Sequence, residues 1–283
     1  MSSRGKSFIL ILMFVAIACL MTSCSNNSGG RDVSTDLETV VLADISLKPP
    51  LEKLAENYSY VTNYKVRFIY APSNLLLNSP DADSVDLFLF ANDQFIEPAR
   101  EMGLADTTDP IHIAYTVPCL LAPSFNLHMI TNLSDLDKSD LRIGIADPET
   151  DILGQFSLEL LKKNGYYKEL EHRLVYIGPS ALDLADRVAK IQLDVAVGWT
   201  ITDNWYPESF DVLLLVPNEI PRVAVVTAIL SAKRPDPENA KRLVTYLKSD
   251  RCADIFRNWG YLISNSDVNM YAPTAEIGGM PEY

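Results

Sequence analysis

The stretch Ile145–Phe156, IADPETDILGQF, decides how this chain is read. It is entered from Leu141–Ala146 (LRIGIA), an apolar run that reads as a strand. Asp147–Gly154 is rich in Asp, Pro and Thr and reads as a loop. Gln155–Asn164 then reads as a helix that stops at Gly165. A strand passing through a short loop into a helix is the repeating unit of a parallel sheet with helices on its faces.

The same unit recurs outward in both directions. Upstream, Thr39–Ala43 is a short apolar run. Ser46 and Pro49-Pro50 then open a helix carrying Leu51, Leu54, Ala55, Tyr58 and Val61 at helical spacing. Lys65–Tyr70 and Asp86–Ala91 read as strands, and Asp93 is placed to cap a helix closed by Gly103. Tyr115–Leu121 begins the next unit. Downstream, Arg173–Ile177, Leu193–Val197, Val212–Val216 and Arg222–Ser231 read as strands, and Ser180 caps a helix to Lys190. Helices at Pro237–Lys248 and Arg251–Trp259 close the pattern. The fold class is α/β, mainly parallel, and such sheets bind ligands beyond the carboxyl ends of their strands. The loops that matter are Asp44–Lys48, Ala71–Leu75, Asn92–Asp93, Asp147–Gly154, Gly178–Ser180 and Gly198–Thr202.

Residues 1–23 read as an export signal. Arg4 and Lys6 are followed by Phe8–Met21, an apolar run of 14 residues, too short to span a bilayer. Met21-Thr22-Ser23-Cys24 then resembles a bacterial lipoprotein cleavage site, with Cys24 lipidated and Cys19 a weaker second candidate. Residues 24–38 read as a polar tether. The expected location is therefore outside the cytoplasm, held at a bacterial membrane by the lipid alone. Loss of Arg4 and Lys6 takes the formal charge from −13 to −15. That balance excludes nucleic acid, whose phosphates need a basic stripe. Cys119 and Cys252 remain; they are read as buried thiols, with a disulfide as the alternative.

Catalytic patterns are missing. His112, His128 and His172 lie at no metal-ligand spacing from another His or Cys. There is no nucleophile elbow, Walker loop, dinucleotide fingerprint or H-E-x-x-H. No enzyme activity, cofactor or bound metal cation is expected. The loops instead hold hydroxyls and free amides: Ser46, Ser73 and Ser180 each stand at a helix start, where unpaired N–H groups and the dipole favour negative charge. Each serine alone reads as an N-cap; several converging on one cleft would make an anion site without a cationic side chain.

The IADPETDILGQF loop resembles the D-P-E-T-x-x-x-G loop of periplasmic molybdate-binding proteins, the substrate-binding subunits of molybdate ABC importers. The likeness continues in order. Asp44-Ile45-Ser46-Leu47 sits at the family's A-A-x-S-L, Tyr70–Leu75 (YAPSNL) at its G-S-S-x-L turn, and Ser84–Asp93 (SVDLFLFAND) at its A-D-V-F-x-S-A-D strand. Val175–Asp194 and the closing helices Pro235–Tyr261, ending in x-x-x-G-F in the family, also correspond.

The resemblance implies a type II periplasmic-binding fold, two α/β lobes joined by two crossover strands. Lobe 1 would be 39–118 plus 222–283 and lobe 2 would be 119–221, with the tail from Asn265 to Tyr283 wrapping lobe 1 or staying loose. It implies a monomer that binds a tetrahedral oxyanion, molybdate or tungstate, and hands it to a permease driven by an ATPase. The implied contacts are Ser46 and Ser73 side chains, backbone amides at about Leu153 and Ser180, and Trp199 in place of the family's tyrosine, with core packing as the other reading of Trp199. Leu153 replaces a small residue and Pro72 replaces the first serine of G-S-S. The alternatives are the same fold with another small anion or an organic ligand, or a surface sensor without transport.

Overall fold

The computed structural model describes residues 38–234 and 237–283. The leader, Cys24 and nearly all of the tether lie outside the described residues.

In chain order, the first half comprises β1 (Glu38–Asp44), α1 (Lys48–Thr62), β2 (Lys65–Ala71), α2 (Ser73–Leu76), β3 (Leu87–Phe90), α3 (Ile96–Glu101) and β4 (Ile111–Thr116). Across Val117 the chain enters β5 (Pro118–Pro123), then β6 (Ile143–Ala146), α4 (Ile152–Lys163), α5 (Tyr167–Leu170), β7 (Leu174–Gly178), α6 (Ala181–Ala189), β8 (Val195–Trp199) and β9 (Phe210–Leu213). It returns through β10 (Arg222–Leu230), α7 (Pro237–Leu247), α8 (Asp250–Asn258), α9 (Asn265–Tyr271) and β11 (Glu276–Ile277).

The strands form two sheets. One runs β11-β10-β3-β1-β2 with β4 on β10; the other runs β7-β6-β8-β5-β9. β1 pairs in parallel with β2 and β3, and β6 in parallel with β7 and β8. β10 and β5, the strands that follow each passage between the sheets, pair antiparallel with their main neighbours. The sheets are therefore mixed. β5 has all six residues buried, and β10 has eight of nine, which is what a strand covered on both faces requires.

Helix α4 begins at Ile152, three residues earlier than the sequence pattern suggests, because Asp151 caps it by accepting from the Leu153 amide at 2.8 Å. Its buried residues include Leu153, Phe156, Leu160 and Leu161; each such side chain contributes roughly 1.5–3 kcal/mol of burial. Gly154 is required by close approach. A Cβ there would sit 2.4 Å from the Pro148 nitrogen and 2.6 Å from the Ala146 carbonyl oxygen, so the helix start could not lie against the loop. Asp93, expected to cap the following helix, instead accepts from the Gly279 amide of the tail at 2.6 Å.

The tail is ordered. α9 opens with a capping box in which Ser264 and Asp267 exchange side chain–backbone hydrogen bonds. β11 pairs in parallel with the start of β10. There Arg222, 4% exposed, donates to the Glu159 carboxylate through Nε (3.0 Å) and Nη2 (3.2 Å), and to the Gly278 carbonyl at 2.5 Å. Glu159, fully buried on α4, also takes Lys163 and the Glu282 amide, each at 3.1 Å. Cys119 and Cys252 are free, buried thiols, not a disulfide.

Removing one partner of a buried ion pair strands the other charge, so Arg222→Met is expected to destabilise by about 3 kcal/mol, with Lys163 and the Glu282 amide limiting the loss. Replacing both charges in Arg222→Met/Glu159→Leu should recover most of it. Urea unfolding of the two variants measures this; equal midpoints for wild type and Arg222→Met would refute it.

Candidate functional site

Register places the first pair of helix starts together. Asp44, the last residue of β1, is the partner of Ala71, the last of β2, so the chain leaves both strands side by side. After β1 it makes a 3₁₀ turn over Ile45–Leu47 into α1; after β2 it turns through Pro72 into α2 at Ser73. Both turns present unpaired amides, and the Asp44 carboxylate takes them. Its Oδ1 accepts from the Ser46 amide (2.8 Å) and Oγ (2.5 Å). Its Oδ2 accepts from the Ser73 amide (2.8 Å) and Oγ (2.5 Å). Asp44 is 5% exposed and Ser73 3%.

The second sheet repeats the device. Ala146 at the end of β6 pairs with Gly178 at the end of β7, and the loops beyond are tied by the Asp147 amide to the Gly178 carbonyl (2.7 Å) and Thr150 Oγ1 to the Pro179 carbonyl (3.1 Å). Asp151 bridges the two helix starts: Oδ1 accepts from the Leu153 amide of α4, and Oδ2 from the Ala181 amide of α6 at 3.0 Å. Asp147 braces its own turn by accepting from the Glu149 amide at 2.9 Å.

The Asp151 carboxyl is shifted by its surroundings. Burial pushes the Asp151 carboxyl up to about 6, and the charge of Asp44 is the next largest cause; the Ala181 and Leu153 amides pull the other way. The Tyr261 hydroxyl, just past α8, is also pushed up by burial and then by Asp44. Tyr261 is 3% exposed and its hydroxyl has no hydrogen-bond partner. Two hydrogen bonds cross from one half to the other nearby: Asn74 Nδ2 to the Glu149 carbonyl (2.7 Å) and Gln94 Nε2 to Gln155 Oε1 (3.0 Å).

Ser46 and Ser73 thus share one carboxylate, and the Leu153 amide shares another with Ala181. Ser180 Oγ accepts from the Asp183 amide (3.2 Å) as an N-cap, and the amide donated to Asp151 is that of the next residue, Ala181. Trp199 is a core residue, 3% exposed, its ring edge-on to Phe156 with centroids 5.2 Å apart. Asp151, Tyr261 and Ala181 are the residues that sequence reasoning did not single out, whereas Asp44, read there as a helix cap or brace, does cap these turns. Among the described residues, no three His, Cys, Asp or Glu side chains are grouped to hold a metal ion, and no helix is long and apolar enough to cross a membrane.

Two α/β halves, each built on its own sheet and joined by two passages of chain, have the fold of the type II periplasmic binding proteins. Residues 39–262 match the model of the bacterial extracellular solute-binding proteins, and the chain belongs to that family. A Haemophilus influenzae chain described as a binding protein is 25% identical over 226 residues, covering 78% of this chain and 89% of that one. The periplasmic molybdate-binding protein of Azotobacter vinelandii superposes with a TM-score of 0.69 at 16% identity, covering 80% of this chain and all of that one. A periplasmic thiamin-binding protein does so with a TM-score of 0.68 at 16% identity, covering 81% of this chain and 84% of that one.

Because the ionised form of Asp151 is the one penalised, its contribution to stability falls as pH rises from about 4 to about 6, between its ordinary value of 3.8 and its folded value of about 6. Carboxyl ¹³C titration should find Asp151 near pH 6, and Asp44→Asn should bring that midpoint down. An unchanged midpoint in the variant would mean that the two carboxylates do not share the cleft.

Proposed function

We propose that this chain is the solute-capturing lipoprotein of an ABC importer, working as a monomer that closes its two halves around one small ligand and presents the closed form to a permease and its ATPase. The observation that carries this reading is that two pairs of turns, Ser46 with Ser73 and Leu153 with Ala181, are each closed by one aspartate on loops of the two halves that meet through the Asn74–Glu149 hydrogen bond. Closure signals loading because contacts from both halves exist together only in the closed form. The family is extracellular, and Cys24 supplies an anchor of the right kind at the right place in the sequence.

The ligand divides two readings. The likeness to molybdate-binding proteins favours molybdate or tungstate, and the helix starts are the donors such an oxyanion uses. Here each of those donors already meets a carboxylate. At about 4 Å and an effective dielectric of about 20, each pair of like unit charges costs about 4 kcal/mol. A charge-assisted hydrogen bond returns only about 1.5–3 kcal/mol. A dianion beside ionised Asp44 and Asp151 is therefore disfavoured at neutral pH, and an oxyanion would need both aspartates protonated or displaced.

Ligand-dependent closure is the test of the importer reading. Some member of a panel of small solutes, molybdate, tungstate and sulfate included, is expected to raise the melting temperature by several degrees and to lower the radius of gyration in small-angle scattering. Stabilisation without compaction, for every solute that binds, would remove the hinge mechanism. For the anchor, Cys24→Ala should move the protein from the detergent-rich to the aqueous phase on Triton X-114 partition; a wild-type protein that is already aqueous would remove the lipid.

A further inference from the structure

The interlobe cleft has the polarity opposite to an oxyanion site. The hydroxyl hydrogens of Ser46 and Ser73 are both donated to Asp44, and Ser73 Oγ also accepts from the Ala91 amide at 3.4 Å, so neither hydroxyl has a hydrogen left to offer an anion. The Leu153 and Ala181 amides are likewise taken by Asp151. What remains free is acceptor capacity. Each Asp151 oxygen accepts a single hydrogen bond, from one of these amides. Asn74, whose Nδ2 crosses to Glu149, has a buried Oδ1 without a partner. The buried Tyr261 hydroxyl, which senses the charge of Asp44, also lacks one. An unpartnered polar group that deep is normally found only where something else satisfies it.

We propose that the cleft takes a ligand carrying a compact organic cation, a protonated primary amine, accepted by Asp151, Asn74 and Tyr261 and attracted by the charge of Asp44, whose own lone pairs are already taken by Ser46 and Ser73, and that it excludes tetrahedral dianions at neutral pH. The inference rests on the reading of this cleft as the solute site. An ammonium suits the inventory: it offers three donors and no acceptor, matching acceptors that come from both halves. A hard divalent metal ion suits it less. Calcium takes six to eight oxygen ligands and magnesium a near-octahedral set, whereas among the described residues no three His, Cys, Asp or Glu side chains are grouped to hold a metal ion. Closure also gains a physical cause. With the cleft empty, bringing the halves together brings two carboxylates together; a cation between them turns that repulsion into attraction, so that loading and closing are coupled.

The test uses the full chain purified in detergent at pH 7.5 and low salt, titrated separately with methylammonium, 1,4-diaminobutane, manganese(II) and molybdate. At least one amine is expected to raise the melting temperature and to bind with a dissociation constant weakened tenfold or more by Asp151→Asn. Tyr261→Phe, which keeps the packing and removes only the hydroxyl, should weaken the same amine about threefold to tenfold. It guards against the case in which the Asp151 variant fails to fold. Stabilisation by molybdate and not by the amines overturns the proposal, as does stabilisation by manganese alone, or no shift with any of the four. Scattering on the same samples separates the two claims. Compaction driven by molybdate would keep the importer reading and remove the cation. Amine binding without compaction would keep the cation and remove the hinge.

Discussion

Four helix starts brought to one place cannot be left without negative charge. Their amides are donors whose partners lie outside the helix, and burial makes an unsatisfied one expensive. Here the charge is built into the chain. Asp44 closes the pair of starts on one sheet and Asp151 the pair on the other. Much of the local architecture follows from that: the ends of paired strands must coincide in register, the following turns must begin at once, and the connecting loops must lie close enough for one carboxylate to span two of them.

The same constraint explains residues that carry no charge. Gly154 is small because α4 begins against the loop that supplies its own cap. Trp199 and Phe156 pack edge to face, which holds α4 against β8. The loops that carry the two carboxylates are tied to one another nearby by Asn74–Glu149 and Gln94–Gln155.

The α/β class and most strands were legible because buried strands and capped helices leave strong local patterns, as in Leu141–Gly165 and Arg222–Ser231. Helix starts were less so. The first turn of α4 was read as loop because Asp, Pro and Thr form turns equally well, and only the tertiary position of Asp151 decides between them. The serines were recognisable as helix-start residues, but their partners were not. Asp44 stands in a segment where the resembled motif has alanines, and Tyr261 where it has Phe. Each looks like ordinary drift in isolation. Their place depends on how parts of the chain far apart in sequence pack together, and no periodicity or spacing encodes that.

The last residues tie together parts of the chain that any hinge must move. β11 is hydrogen-bonded along β10 in the first sheet, the Glu282 amide reaches Glu159 on a helix of the second half, and Lys162 of that helix lies over the Tyr283 ring. A rotation of one half about the other must therefore either carry this strap intact or peel it away. Residues 276–283 thus join the two halves, and anything fused behind Tyr283 would stand beside that joint instead of on a neutral surface.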